Sequence, residues 1–209
     1  VNPHGPFDIK PGSYTDDTRV SIIFLRAAVK AEGVPLRGHI AEAVDDYYRK
    51  SETRLERAFI EEYRLKAFHG EDKEAFGGRP TNGGIMGIAP LGLIFPCDPE
   101  RAYGHVFRNL YFSTGTARSA SALAAAIISA AMKPGADPLS AVDDALKAGA
   151  AYKKRVEGGY WQRSSLYPIV ALKAEQLLEQ AAELGAKYRD PFAFQDELYK
   201  LAVQPFFAD

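Results

Sequence analysis

Tyr14-Thr15-Asp16-Asp17-Thr18 is the segment of this chain whose side chains are best placed to do chemistry. Two adjacent carboxylates stand between hydroxyls, and an amphipathic helical pattern begins immediately after them. Like charges side by side repel unless a cation neutralises them. Carboxylate, hydroxyl and water oxygens are the donors a hard divalent cation such as Mg²⁺ prefers. The pattern therefore suggests a metal site at a helix N-terminus. Capping is the competing account. Ser, Thr and Asp are common N-caps, and acidic residues in a first turn complement the helix dipole. On these five residues alone, capping is the commoner use.

A second segment, Thr81-Asn82-Gly83-Gly84-Ile85-Met86, has the composition of a backbone cradle. Glycine permits φ > 0 and close approach of a ligand to main-chain N–H groups. Successive N–H groups in such a turn form an anion nest suited to a diphosphate. No Gly-Lys-Ser/Thr follows, so it is not a Walker A loop, and no strand precedes it, so it is not a dinucleotide-binding fingerprint. A tight connection between helices accounts for the same composition equally well.

Helical periodicity must position both segments. Val20, Ile23, Phe24, Ala27, Ala28 and Ala31 mark one face of a helix from near Thr15 to Gly33, with Pro35 confirming the stop. A second helix is expected from Arg37 to Lys50, with Ile40, Ala43, Val44 and Tyr47 inward, and a third over Arg54 to Ala67. His69 to Gly92 is rich in glycine and turn formers, yet carries Ile85, Met86, Ile88 and Leu91. It is expected to be an ordered loop running into a short helix. Further helices are predicted over Pro99–Tyr111, Thr116–Met132, Pro138–Val156, Ser165–Leu184 and Phe192–Ala202. No strand alternation or internal repeat is evident. The expected class is all-α: a compact multi-helix bundle forming a single helical domain over residues 1–209.

Composition excludes several functions. Hydrophobic residues at 46% and charged residues at 25% are ordinary for a soluble globular protein. A net charge of -1 gives no basic field for nucleic acid. No apolar run is long enough to span a bilayer, and the start has no signal-peptide pattern. The single cysteine, Cys97, precludes an intramolecular disulfide and fits a reducing compartment, so the cytoplasm is expected. The chain does not begin with Met, as expected of a fragment or a processed product.

Thr15-Asp16-Asp17-Thr18 opening a helix, followed by Asn82-Gly83-Gly84-Ile85-Met86-Gly87-Ile88-Ala89-Pro90-Leu91-Gly92, resembles the ADP-ribosylglycohydrolase family. That group includes the dinitrogen-reductase-activating glycohydrolase and the ADP-ribosyl-acceptor hydrolases. Asp98-Pro99-Glu100-Arg101-Ala102 and the Ala-rich helix after Ser119 follow the family's order of segments, so the resemblance covers roughly the first two-thirds of the chain. It implies an all-α bundle around Mg²⁺, two ions in a complete site, with Thr15, Asp16 and Asp17 supplying part of the coordination. It implies that Asn82, Gly83, Gly84 and Met86 contact ADP-ribose, and that Asp16 and Asp17 carry catalysis. The implied reaction is hydrolysis of the glycosidic bond between the distal ribose and an acceptor. Two alternatives accompany it: a non-catalytic relative that keeps the fold, and a hydrolase of a different nucleoside or glycoside.

The chain also departs from the family pattern. An acidic Gly-rich segment upstream of the Thr-Asp-Asp motif and an Asp-x-Asp-Thr motif near the C-terminus are absent, so the chain is expected to be incomplete at both ends relative to the family. Gly87 stands where many relatives have Arg, and Gly115 follows Thr114 where many have His. Among other residues, His105 is expected in packing, Asp45-Asp46 and Asp143-Asp144 on solvated faces, and Glu157 to Arg163 in a loop that stacks on a ring or anchors packing.

Overall fold

A computed structural model describes residues 15–51, 57–58, 60–61, 63–64, 83–111, 113, 115–156 and 167–202. Helix α1 (Asp16–Lys30) forms because Val20, Ile23, Phe24 and Ala27 recur at helical spacing, and all four are buried. Ile23 and Phe24 are almost fully enclosed, and such burial contributes about 1.5–3 kcal/mol for each large side chain. The regular helix ends three residues before Gly33. There the chain wraps its own end: the Gly33 N–H donates to the Ala28 carbonyl at 2.9 Å, with Glu32 at φ 51° and Gly33 at φ 141°. Glu32 therefore occupies a left-handed position that glycine fills without strain. Glu32→Gly is expected to raise stability by about 0.5–1 kcal/mol, read as a higher urea midpoint at unchanged slope.

Helix α2 (Arg37–Lys50) matches its expected bounds and buries Ile40, Ala43, Val44 and Tyr47. Of the expected third helix, residues 57–58, 60–61 and 63–64 are helical, and Ile60 and Tyr63 join the core; the remainder lies outside the described residues. The end of the glycine-rich stretch forms two short helical pieces, α3 (Gly83–Met86) and α4 (Ala89–Leu93). Then follow α5 (Pro99–Asn109), α6 (Gly115–Ala131), α7 (Pro138–Val156), α8 (Tyr167–Lys187) and α9 (Pro191–Ala202). Among the described residues there is no strand. No described helix is long and apolar enough to cross a membrane.

Helix α6 is the hub, packing against α3, α4, α5, α7 and α8. Its small inward residues, Ala122, Ala125, Ala126 and Ala130, let these neighbours approach closely. Three buried polar side chains lock α6 to α5 and α8. The Tyr103 hydroxyl donates to Glu175 Oε1 at 2.9 Å, and Ser119 Oγ donates to the same oxygen at 3.2 Å. Burial, then the Glu175 charge, pushes the Tyr103 hydroxyl far above its ordinary range, so it stays a donor. Of the acidic pairs, Asp46 and Asp143 are exposed as expected, while Asp45 and Asp144 are drawn into ion pairs. Asp45 is half-buried and bridges Arg49 and Arg64, each at 2.6 Å, and Asp144 pairs with Lys133 at 2.5 Å. These contacts hold both carboxyls below their usual range, the Arg64 and Lys133 hydrogen bonds being the main causes.

His105 is buried in α5 and tilts against Phe95, as a packing residue should. Burial, reinforced by Arg108, pushes its pKa down to about 4 from 6.5. The unfolded chain therefore takes up a proton that the folded chain refuses between those values. Stability contributed by neutral His105 is full above pH 6.5 and is lost as pH falls toward 4, on the order of 3 kcal/mol in all. Urea midpoints measured from pH 7 to 4 should fall less steeply in His105→Phe than in the wild type.

Candidate active site

Thr15 sits at the N-cap position of α1 with extended backbone, but its side chain makes no capping bond. Instead Thr15 Oγ1 donates to Asp17 Oδ2 at 3.1 Å. Three other helices are capped in the usual way. Asp98 accepts from the Arg101 N–H, Asp137 from the Leu139 and Ser140 N–H groups, and Asp190 from the Phe192 and Ala193 N–H groups. The capping account thus fails for Thr15, although Asp16 and Asp17 still complement the dipole of α1. Asp16 is half-buried and Asp17 exposed, so both carboxylates can meet a solute. Ser21 Oγ donates back to the Asp17 carbonyl at 3.0 Å and ties the first turn to the second.

Helix α1 packs directly against α3 and α4, and the contact falls at Val20 and Ser21, in the turn after the acidic segment. The contact is made through glycine. A Cβ on Gly87 would run into Val20 Cγ1 and lie 2.9 Å from the Ser21 backbone nitrogen. A Cβ on Gly84 would strike Ser113 Oγ and come within 2.6 Å of Ser121 Oγ, and one on Gly92 would lie 2.8 Å from the Ala125 carbonyl oxygen. Gly83, Gly84, Gly87 and Gly92 are all buried.

Of the two expected uses of the glycine-rich segment, the described glycines show the tight connection between helices. Positive φ among the described residues is confined to Glu32, Gly33, Cys97 and Gly135. Gly84, Gly87 and Gly92 are therefore not spent on a φ > 0 nest. They are spent on backbone proximity, because side-chain volume there would push α1, α3, α4 and α6 apart. Met86 is half-buried against the core. Asn82 lies outside the described residues, as do His69 and the Glu157 to Arg163 segment.

Arg19, Ser113 and Ser121 are buried polar residues not expected from the sequence. Arg19 is about nine-tenths buried, four residues before Ile23 on the inward face of α1. A charge at an inward helical position was the signal that could have found it. Ser113 and Ser121 seat Gly84, and Arg118 Nε donates to the Ser113 carbonyl at 2.7 Å. Nothing in the local sequence marks either serine.

Thr15, Asp16 and Asp17 offer hydroxyl and carboxylate oxygens, and the Thr15–Asp17 bond draws two of the three together. That set fits Mg²⁺, which takes one or two carboxylates and keeps several waters. Among the described residues no cluster of three or more His, Cys, Asp or Glu side chains gathers as a metal cage.

A family model for ADP-ribosylglycohydrolase matches residues 1–203. The chain belongs to the ADP-ribosylglycohydrolase family. No curated protein and no solved structure matches it. The family match runs through α9, well past the motifs that first carried the resemblance. It accounts for the all-α bundle, and it makes the chain a glycohydrolase by family.

Proposed function

We propose that this ADP-ribosylglycohydrolase family member is a Mg²⁺-dependent hydrolase that frees ADP-ribose from an acceptor by cleaving the bond at the anomeric carbon of its distal ribose. The packing of α1 on α3 and α4 supports the reading, because Gly87 seats against Val20 and Ser21, in the turn that follows Asp17. Breaking a glycosidic bond builds positive charge on the sugar in an oxocarbenium-like transition state. Mg²⁺, when bound, supplies charge that orients ribose hydroxyls and acidifies water. Thr15, Asp16 and Asp17 would hold that ion. One of the two carboxylates would take a proton from water as the water oxygen bonds the anomeric carbon and the bond to the acceptor breaks, and that proton then passes to the departing acceptor; the other carboxylate places negative charge near the developing cation. The resemblance to the family assigns Asn82, Gly83, Gly84 and Met86 to the ADP-ribose side of the site; Gly83 and Gly84 are buried, so any such contact would be made by main-chain groups.

The test is release of free ADP-ribose from an ADP-ribosylated protein, followed chromatographically with Mg²⁺ and with EDTA. Release that requires Mg²⁺ is expected. Binding of ADP-ribose without release would make the chain a non-catalytic relative. Release of base from simple nucleosides, with none from the conjugate, would move the substrate class.

A further inference from the structure

Two serines prop one face of the glycine-rich segment, and their own support is unequal. Ser113 Oγ, Ser121 Oγ and Leu110 Cδ2 stand where Gly84 would carry a Cβ, so protein closes that face of Gly84. Ser121 sits in the second turn of α6, and its hydroxyl donates to the Ala117 carbonyl at 2.7 Å. Two residues before it, Ser119 Oγ donates to the buried Glu175 carboxylate at 3.2 Å. That prop moves only if the hub helix moves. Ser113 is different. It is buried, yet it lies between the end of α5 at Asn109 and the start of α6 at Gly115, outside either helical ladder. Arg118, in the first turn of α6, reaches back five residues, and its Nε donates to the Ser113 carbonyl at 2.7 Å. A guanidinium bond of this length is among the stronger hydrogen bonds a protein makes.

We infer that Arg118 is a positioning residue for the ADP-ribose side of the site: acting through Ser113, it fixes the main chain of Gly83 and Gly84 against α6 and so sets how tightly substrate is held. This rests on the reading given under Proposed function. Glycines offer a ligand only main-chain groups, and no side chain can swing to compensate when the backbone is misplaced. The acidic turn is seated elsewhere. Gly87 rests on Val20 and Ser21 of α1, and Ser21 Oγ is bonded to the Asp17 carbonyl at 3.0 Å. Releasing Ser113 therefore loosens substrate binding while the turn bearing Asp16 and Asp17 stays in place.

Arg118→Met keeps most of the side chain's reach and removes the bond. With an ADP-ribosylated protein as substrate it is expected to raise KM about tenfold, as the loss of one charged hydrogen bond should, with kcat and the Mg²⁺ dependence unchanged. Arg118→Lys can still donate to the carbonyl and should recover most of the loss. Ser113→Ala removes the prop itself and should raise KM likewise, and adding Arg118→Met to it should change little more. Hydrogen exchange gives an answer independent of ligand: the amides of residues 83–87 should exchange about tenfold faster in Arg118→Met, with those of α7 unchanged. If the wild type neither binds nor releases ADP-ribose, the proposed function fails while the exchange result still decides whether Arg118 fixes the segment. A lower Tm with KM and exchange unchanged would make Arg118 merely structural. Additive losses in the double variant would mean that Arg118 touches substrate directly. Either result overturns the assignment.

Discussion

Asp17→Asn is expected to cost at least about a hundredfold in Mg²⁺-dependent turnover while leaving the helical fold in place. The substitution keeps the side chain's size and removes its charge. Asp17 is exposed, so no packing is lost, and the weakened dipole complement costs only about 0.3–1 kcal/mol. The loss falls on the site instead. The amide retains one acceptor oxygen but no negative charge, and Thr15 Oγ1 loses its charged partner at 3.1 Å. A site with few carboxylates has little spare affinity for a hard cation, so each charge counts heavily. Asp16→Asn removes the neighbouring charge and should act in the same direction. Turnover measured against Mg²⁺ concentration checks the assignment, with circular dichroism reporting the fold. If both variants run at the wild-type rate at every Mg²⁺ level, Asp16 and Asp17 are not the metal site.

The helices were legible in the sequence because their inward residues recur at regular spacing. Ile40, Ala43, Val44 and Tyr47 were expected inward and are buried. Pro138 and Val156 bound α7 as expected, since a proline is tolerated in the first turn and the apolar pattern runs to the end. The acidic turn was legible as a candidate because unshielded adjacent charges are conspicuous. Whether Thr15 caps its helix was not, since the choice between accepting from a backbone N–H and donating to Asp17 is a matter of rotamer. The glycines were legible as special but not for their purpose. A glycine needed for positive φ and one needed for a missing Cβ look alike in one dimension. Only the crossing of α1, α3 and α6 distinguishes them, and that crossing depends on Ser113, Ser121 and Val20, partners distant in sequence. The expected helix end at Gly33 overshot for a similar reason: the last turn closes through Glu32 in a left-handed conformation that glutamate seldom adopts.

Gly87→Ala is expected to be the most damaging single-methyl change near the site, and the reason lies in what the methyl meets. Besides Val20 Cγ1, it would lie 2.7 Å from Val20 Cβ and 2.9 Å from the Ser21 nitrogen. A side-chain tip can rotate away; a Cβ and a backbone nitrogen within a helix cannot. Helix α1 must therefore shift away from the glycine-rich segment, at about 3 kcal/mol, the upper end of the usual cost of overpacking. For a chain of this size that lowers Tm by roughly 10 °C. The shift also moves the turn that bears Asp16 and Asp17, so turnover should fall even at temperatures where the variant is folded. The same geometry explains why an arginine at position 87 has no place here without a different seat for α1. Gly84→Ala supplies the contrast. Its new methyl meets two serine hydroxyls, which Ser113→Ala and Ser121→Ala remove, so the triple variant should recover part of the lost stability. Val20→Ala removes Cγ1 but leaves Val20 Cβ and the Ser21 nitrogen in place, so it should not rescue Gly87→Ala. Thermal melts of the two series separate the cases. Full rescue of Gly87→Ala by Val20→Ala would mean that the two segments touch only through side chains, and that α1 is free to move relative to the glycine-rich turn.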